Sequence, residues 1–255
     1  MVFCSIITVV FNNLPGLKIT WESIKNQTDN DWEWVIVDGG SSDGAVTFLQ
    51  ELVSKDSRVT FISEKDKGLY DAMNKGILLA KGKYLWFVNT SDTIHSNGTL
   101  AVIKSVAHSQ NSDVLYGETM FVDENQQAIG IRSEVSTRIL PKKLTVNSML
   151  YGMVVSHQSF LPLKSIVAEY NLSYKCSADI DWVIKALKNA KIISPVNEIV
   201  SNYLVGGFSA QNKHRCWKER WKIYRHHYGF FLTCWAHLFI IVRMAYYRVF
   251  NNRKY

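Results

Sequence analysis

Cysteine and proline are scarce in this chain, four of each in 255 residues. Cys4, Cys176, Cys216 and Cys234 show neither C-x-x-C spacing nor the density of a disulfide framework, which excludes a zinc site built on paired thiolates and fits a reducing compartment. No G-x-G-x-x-G or G-x-x-x-x-G-K-S/T element is present, so a dinucleotide oxidoreductase and a P-loop enzyme are both disfavoured. The apolar start, Met1 to Val10, lacks a basic leader region and a small-residue cleavage site, and is expected to be a first strand. Internal repeats and low-complexity segments are missing as well.

Acid is nearly absent from the C-terminal stretch. From Lys213 to Tyr255 there are ten Lys plus Arg against one acid, Glu219, whereas residues 1 to 212 carry nineteen against twenty-one, so the net charge of +7 arises at the C-terminal end. The rest suits one sizeable α/β domain: 47% of residues are apolar, enough for a core at this length. Strands are expected near 3–10, 32–37, 59–62 and 83–88, and helices near 15–26, 43–55, 69–80 and 97–109, an alternation that predicts a mostly parallel sheet. Further strands are expected near 113–123, 127–132, 153–161 and 196–204, with a helix from Asp179 to Ala190 and a flexible joint at Gly206-Gly207-Phe208-Ser209.

Two turns stand out. Trp34-Val35-Ile36-Val37 reads as a buried strand, and Asp38-Gly39-Gly40-Ser41-Ser42-Asp43-Gly44 after it stops the strand and starts a helix. Asp38 therefore lies at a carboxyl end, where open α/β sheets bind ligands, and there it can accept hydrogen bonds from a base or a ribose. The plainer role for Asp38 and Asp43 is helix capping. The second turn, Glu64-Lys65-Asp66-Lys67-Gly68, leads into a helix with Asp71, Asn74 and Lys75 on one face. Lysines beside a helix start suit a diphosphate, although such a turn is also an ordinary solvated loop.

With Ile6 to Asn13, Phe87-Val88-Asn89-Thr90-Ser91-Asp92 and Ser177-Ala178-Asp179-Ile180-Asp181-Trp182 added in order, the first 210 residues resemble the family 2 glycosyltransferases of GT-A fold, most closely the bacterial subgroup that assembles surface polysaccharides such as colanic acid and O antigens. The resemblance implies a mostly parallel central sheet flanked by helices over 1–210. It also implies inverting transfer from a nucleoside diphosphate sugar, a UDP-sugar in particular, to a polyprenyl-linked glycan. Asp38 is then expected at uridine, Thr8 and Asn12 at the base, and Lys67, Asn74 and Ser91 around the donor. The family's D-x-D motif is reduced here to Asn89-Thr90-Ser91-Asp92, which leaves Asp92 to hold a divalent Mg²⁺ or Mn²⁺ with phosphate oxygens and water; a plain turn is the alternative. Asp179 takes the place of the catalytic base, with helix N-capping as its plainer role. Asp181, His157 and Arg215 are candidates for acceptor contact or for a loop over the diphosphate, with structural roles as the alternative.

Residues 211–255 are expected to form an amphipathic helical extension. Trp217, Trp221, Tyr224, Tyr228, Phe231, Trp235, Leu238 and Val242 follow steps of four and three, beside Lys218, Lys222 and Arg225. The fifteen residues from Tyr228 to Val242 carry no formal charge if His237 is neutral, short of the roughly 20 that span a bilayer. An anionic membrane surface is the expected partner, at the cytoplasmic face of the cytoplasmic membrane, with a helical hairpin on the domain or a tilted span as alternatives. Nucleic acid is not expected, since Phe230 to Val242 lacks the charge of a backbone-tracking groove. Two rival functions remain open at this stage, a non-catalytic sugar-nucleotide binder and a nucleotidyltransferase.

Overall fold

The computed structural model describes residues 2–206 and 212–250. Its elements run β1 (Cys4–Val10), α1 (Leu14–Lys25), β2 (Trp32–Asp38), α2 (Ala45–Lys55), β3 (Val59–Ser63), α3 (Leu69–Leu79), β4 (Tyr84–Phe87), β5 (Thr93–Ile94), α4 (Thr99–Gln110), β6 (Val114–Val122), β7 (Ala128–Ile131), α5 (Arg132–Val135), β8 (Phe160–Pro162), α6 (Ala178–Asn189), β9 (Ile193–Leu204) and α7 (Lys213–Phe250). Four parallel strands form the first sheet in the order β3-β2-β1-β4. A second sheet runs β5-β9-β6-β7 with β8 on β6; within it only β6 and β9 are parallel. An isolated bridge between Tyr84 and Leu163 joins the two.

Every residue of β1 and β2 is buried, the condition of a parallel sheet covered on both faces, and it explains their unbroken apolar runs. Side chains alternate between two cores. Ile7, Val9, Val35 and Val37 pack with residues of α3, α6 and α7, while Ile6, Val10, Trp34 and Ile36 pack with α1, α2 and α4. Trp21 stacks on Trp34 with centroids 5.1 Å apart, fixing α1 to its face. On the other face α3 comes close at Gly76, where an added Cβ would lie 2.5 Å from Ile7 Cγ2.

The early elements fall within two residues of their expected bounds. The expected strand at 153–161 does not form. Only Phe160–Pro162 is extended, and His157–Ser159 is a 3₁₀ turn. The carbonyls of Met153 and Val154 accept from the Arg132 guanidinium and that of Gln158 accepts from Trp86 Nε1, so side chains take the place of a ladder. Cys176 and Cys216, expected to be unpaired, are joined as a disulfide with Cα atoms 5.1 Å apart. Of the expected glycine joint, Gly206 has φ +99°, and Gly207 to Ser209 lie outside the described residues.

The apolar seam expected along one tail helix is broken. Gly229, at φ 79° and ψ 176°, interrupts α7 in a conformation open to glycine and strained for L side chains. Residues 217 and 237 would be about 30 Å apart in a straight helix, yet the rings of Trp217 and His237 are 5.2 Å apart. The halves therefore fold into a hairpin, which buries Ile223, Tyr224, Ala236 and Ile240 in the same core as β1. One face of the outer half stays bare, with Phe231, Leu238 and Val242 all more than half exposed.

Replacing Gly76 by Ala is expected to lower stability by about 1 to 3 kcal/mol through overpacking against Ile7, although Ala favours the helix by about 1 kcal/mol. Denaturant unfolding checks this, and a gain in stability would refute the close approach.

Candidate active site

Asp38 is the last residue of β2 and is fully buried. Its Oδ2 accepts from the amides of Gly40 and Ser41, at 3.1 and 2.9 Å, and from Ser63 Oγ at 2.6 Å. Oδ1 is buried with no partner among the described residues. A carboxylate oxygen left without a donor is costly unless a ligand supplies one. Asn12, at φ 47°, sets the rim of this turn: its amide donates to Ser41 Oγ and its Oδ1 accepts from the Ser42 amide, both at 2.8 Å. Asp43 serves two helix starts, accepting from Leu14 and Ala45 amides.

Several residues expected at the donor are engaged by the protein itself. Thr8 is wholly buried, donates to the Val88 carbonyl and accepts from Trp34 Nε1, so it belongs to the core rather than to a base contact. Asn74 donates to the Tyr170 carbonyl and accepts from the Tyr170 amide, at 3.0 and 2.6 Å, which pins the loop before α6 and leaves its amide closed to a donor. Ser91 Oγ accepts from Asn13 Nδ2 at 3.2 Å, and the residue sits at φ 75° to shape its turn. Among the basic residues of the second turn, Lys75 is tied to Glu64, Asp66 and Asp71. Lys67 is exposed and makes no ion pair among the described residues; only its amide is fixed, by Asp71.

Asp92 follows β4 at the same carboxyl edge and is buried. Its Oδ2 accepts from Gln158 Nε2 at 2.9 Å and its Oδ1 from the Leu204 amide at 3.0 Å. Burial outweighs both bonds and pushes the carboxyl up to about 7. Nearby in sequence, Asn89 Oδ1 is buried with no partner among the described residues. Among the described residues no three His, Cys, Asp or Glu side chains gather to hold a metal ion by themselves.

Asp179, in the first turn of α6, is half-buried and reaches Tyr70 of α3, whose hydroxyl donates to it at 3.3 Å. Burial raises its carboxyl to about 6, against the bonds from the Ile180 amide and Tyr70 and the charge of Arg138, which lower it. Behind it Tyr170 stacks between Tyr70 and Trp182, at 5.5 and 5.0 Å. His157 lies in that aromatic wall, bonded to the Tyr170 hydroxyl at 2.6 Å and held by burial down to about 4. Its side chain is thus buried and engaged by the protein itself. Asp181 points away from Asp179, to His227 and Lys185, both at 2.7 Å. Burial would raise its carboxyl, but those two partners outweigh it and hold it low, so Asp181 rivets α6 to α7.

The decisive support of Asp179 comes from the tail. Glu219 is buried and accepts the amides of Lys175, Cys176 and Ser177 at 2.8 to 3.1 Å, in front of the N-terminus of α6. There both the free amides and the helix dipole favour an anion. Arg215, expected over the diphosphate, is exposed and reaches Glu219 Oε1 at 3.2 Å instead. Together with Lys218, Lys222 and Tyr174 these residues line a cleft of about 410 Å³.

Residues 5–169 match the family model described as glycosyl transferase family 2. The chain belongs to that family. A glycosyltransferase of Mycobacterium bovis named for PGL/p-HBAD biosynthesis is 27% identical over 201 residues, covering 77% of this chain and 74% of the relative. In fold the transferase superposes on residues 1–349 of S. aureus TarS in complex with UDP-GlcNAc, with TM-score 0.67 and 16% identity over 97% of this chain and 73% of that one. It spans 38% of a longer TarS chain. The mannosyltransferase PcManGT of Pyrobaculum calidifontis, in complex with GDP-Man and Mn²⁺, gives TM-score 0.57 and 14% identity over 97% of this chain and 75% of that one. The central sheet flanked by helices is thus the GT-A fold, and the protein is a glycosyltransferase.

Sequence reasoning missed Tyr70, Gln158 and Glu219. Tyr70 stood inside a motif already singled out, and Glu219 was marked by being the one acid of a basic stretch. Gln158 carried no signal of its own.

Two outcomes are expected. Glu219→Ala, which leaves three amides without their charged acceptor, should cost about 3 kcal/mol or more in denaturant unfolding. Tyr70→Phe removes a bond that favours the ionised carboxylate, so the Asp179 titration, followed by carboxyl-carbon NMR, should move above about 6.

Proposed function

We propose that the transferase carries out inverting transfer from a UDP-sugar to a lipid-linked glycan of a cell-surface polysaccharide, at the cytoplasmic face of the membrane. The observation that carries this reading is Asp179, a half-buried carboxyl raised to about 6: ionised at neutral pH and still basic enough to take a proton. In the transfer, the acceptor hydroxyl gives its proton to Asp179 while its oxygen bonds the anomeric carbon. The bond from that carbon to the diphosphate breaks, and the electron pair leaves with UDP.

Asp38 Oδ1, the partnerless acceptor at the end of β2, receives an N–H or O–H from uridine. Exposed Lys67 lies at the start of α3, where the diphosphate charge is favoured. The oxygen donors at the Asn89 to Asp92 turn suit a hard divalent cation: each Asp92 oxygen keeps a lone pair, its buried charge is uncompensated, and Asn89 Oδ1 is free. Asp92 and Asn89 would hold such an ion beside diphosphate oxygens, where it neutralises leaving-group charge. The Mn²⁺ complex of PcManGT and the UDP-GlcNAc complex of TarS support the cofactor and donor class.

Membrane association rests on the tail. The stretch from His214 to Phe250 is apolar and long enough to cross a membrane by length and composition. Its break at Gly229, and the burial of Ala236 and Ile240 in the core and of His237 against Trp217, Trp221 and Tyr224, favour lying on the surface over spanning it.

Asp179→Asn should abolish turnover of UDP-sugars by about 10³-fold or more while UDP affinity stays within threefold by calorimetry. Retained turnover would overturn the assignment, and loss of UDP binding would place Asp179 in the donor site instead. In the wild type, kcat/KM should fall tenfold per pH unit below about 6, because the base is then protonated.

A further inference from the structure

Four arginines lie close enough for the charge of Arg138 to act on the other three, and among the described residues none of them forms an ion pair with a carboxylate. Arg132, of α5, is buried, with its guanidinium on the carbonyls of Met153 and Val154. Arg243, on the outer half of α7, donates to the Tyr151 carbonyl at 2.7 Å, close to Gly152. Arg220, on the inner half, lies 4.3 Å over the Trp217 ring. The Nε atoms of Arg220 and Arg243 are buried with no acceptor. Arg138, exposed on the loop after α5, is the charge the others share: it acts on Arg132, Arg220 and Arg243, and on Asp179 as well.

Cations so arranged repel one another and lose hydration. Burial, with Arg138 adding to it, pulls Arg132 down to about 9, Arg220 to about 10, and Arg243 below the ordinary range. Guanidinium forks match phosphate oxygens, and a bound phosphate would relieve both costs. Arg243 also lines a groove of about 390 Å³ whose other walls include Ile139, Tyr151, Val154, Phe239 and Tyr246. Along the same helical segment, Leu238, Ile241, Val242 and Met244 are exposed, so the groove lies beside the bare apolar face of the tail.

We infer that Arg138, Arg220 and Arg243, backed by Arg132, bind the phosphate group of an isoprenoid-linked acceptor, whose apolar chain leaves along the groove. A nucleotide diphosphate offers the same anion but has no hydrocarbon to fill an aromatic-walled channel. This inference rests on the lipid-linked acceptor of the proposed function and adds the residues that hold its phosphate end.

The test is binding of geranylgeranyl diphosphate in detergent micelles to the full chain, with geranylgeraniol, inorganic pyrophosphate and UDP as separate arms. The wild type should bind the lipid diphosphate at least tenfold more tightly than geranylgeraniol or pyrophosphate. Arg138→Gln combined with Arg243→Gln should weaken the lipid diphosphate tenfold or more and leave UDP within twofold. The paired Arg→Lys variant keeps the charge, should recover most of the lipid binding, and reports on folding through its thermal midpoint. An equal loss of UDP affinity would assign the arginines to the donor, pyrophosphate binding as tightly as the lipid would reduce the site to a free-anion site, and unchanged lipid binding would remove it. Failure of the wild type to bind UDP would instead count against the donor reading, independently of the lipid arm.

Discussion

The carboxylate of Glu219 against three successive amides is the contact on which the rest of the site depends. Lys175, Cys176 and Ser177 present their N–H groups where α6 begins, and without an acceptor they would be buried donors in a loop that has no strand or helix to satisfy them. Glu219 meets that demand from another element. It thereby orients the helix start that carries Asp179 toward Tyr70, and Asn74 fastens the same loop from the opposite side through Tyr170. The position of Asp179 is thus set jointly by α3 and by the tail.

Polar groups along the carboxyl edge of the sheet divide into engaged and open ones, and the division is informative. Thr8, Asn12, Asn74 and Ser91 are engaged by protein partners and give the edge its shape. Asp38 Oδ1 and Asn89 Oδ1 are not saturated. A fold rarely leaves buried acceptors without donors, and in the proposed reading the nucleotide sugar and its cation complete the bonding of these two atoms. Asp92 differs again: both oxygens have donors, yet among the described residues no cation offsets the burial that raises its carboxyl to about 7.

Much of this was legible from local pattern. The first four strands and helices followed from apolar runs punctuated by Gly, Ser and Asp, because each obeys its own periodicity whatever lies across the core. Asp38 could be placed at the carboxyl edge for the same reason, whereas Asp92 and Asp179 were singled out by the family resemblance. What each neighbouring side chain does could not be, since Asn74 is bonded to Tyr170 across 96 positions and Ser91 to Asn13 across 78. The 153–161 segment defeated the pattern because its carbonyls found side-chain donors from Arg132 and Trp86 rather than a neighbouring strand. In the tail, steps of four and three persisted through Gly229, so the reversal was invisible to spacing and rested on one residue's φ.

That reversal has a geometric consequence. Because Arg243 holds Tyr151 and His237 nests among Trp217, Trp221 and Tyr224, the uncovered side of the outer segment is fixed to the body of the protein, not a float on a string. If that side rests on a membrane, as proposed, helix packing would set the height and tilt of Asp179 above it, and with them the length and angle at which a projecting glycan is presented.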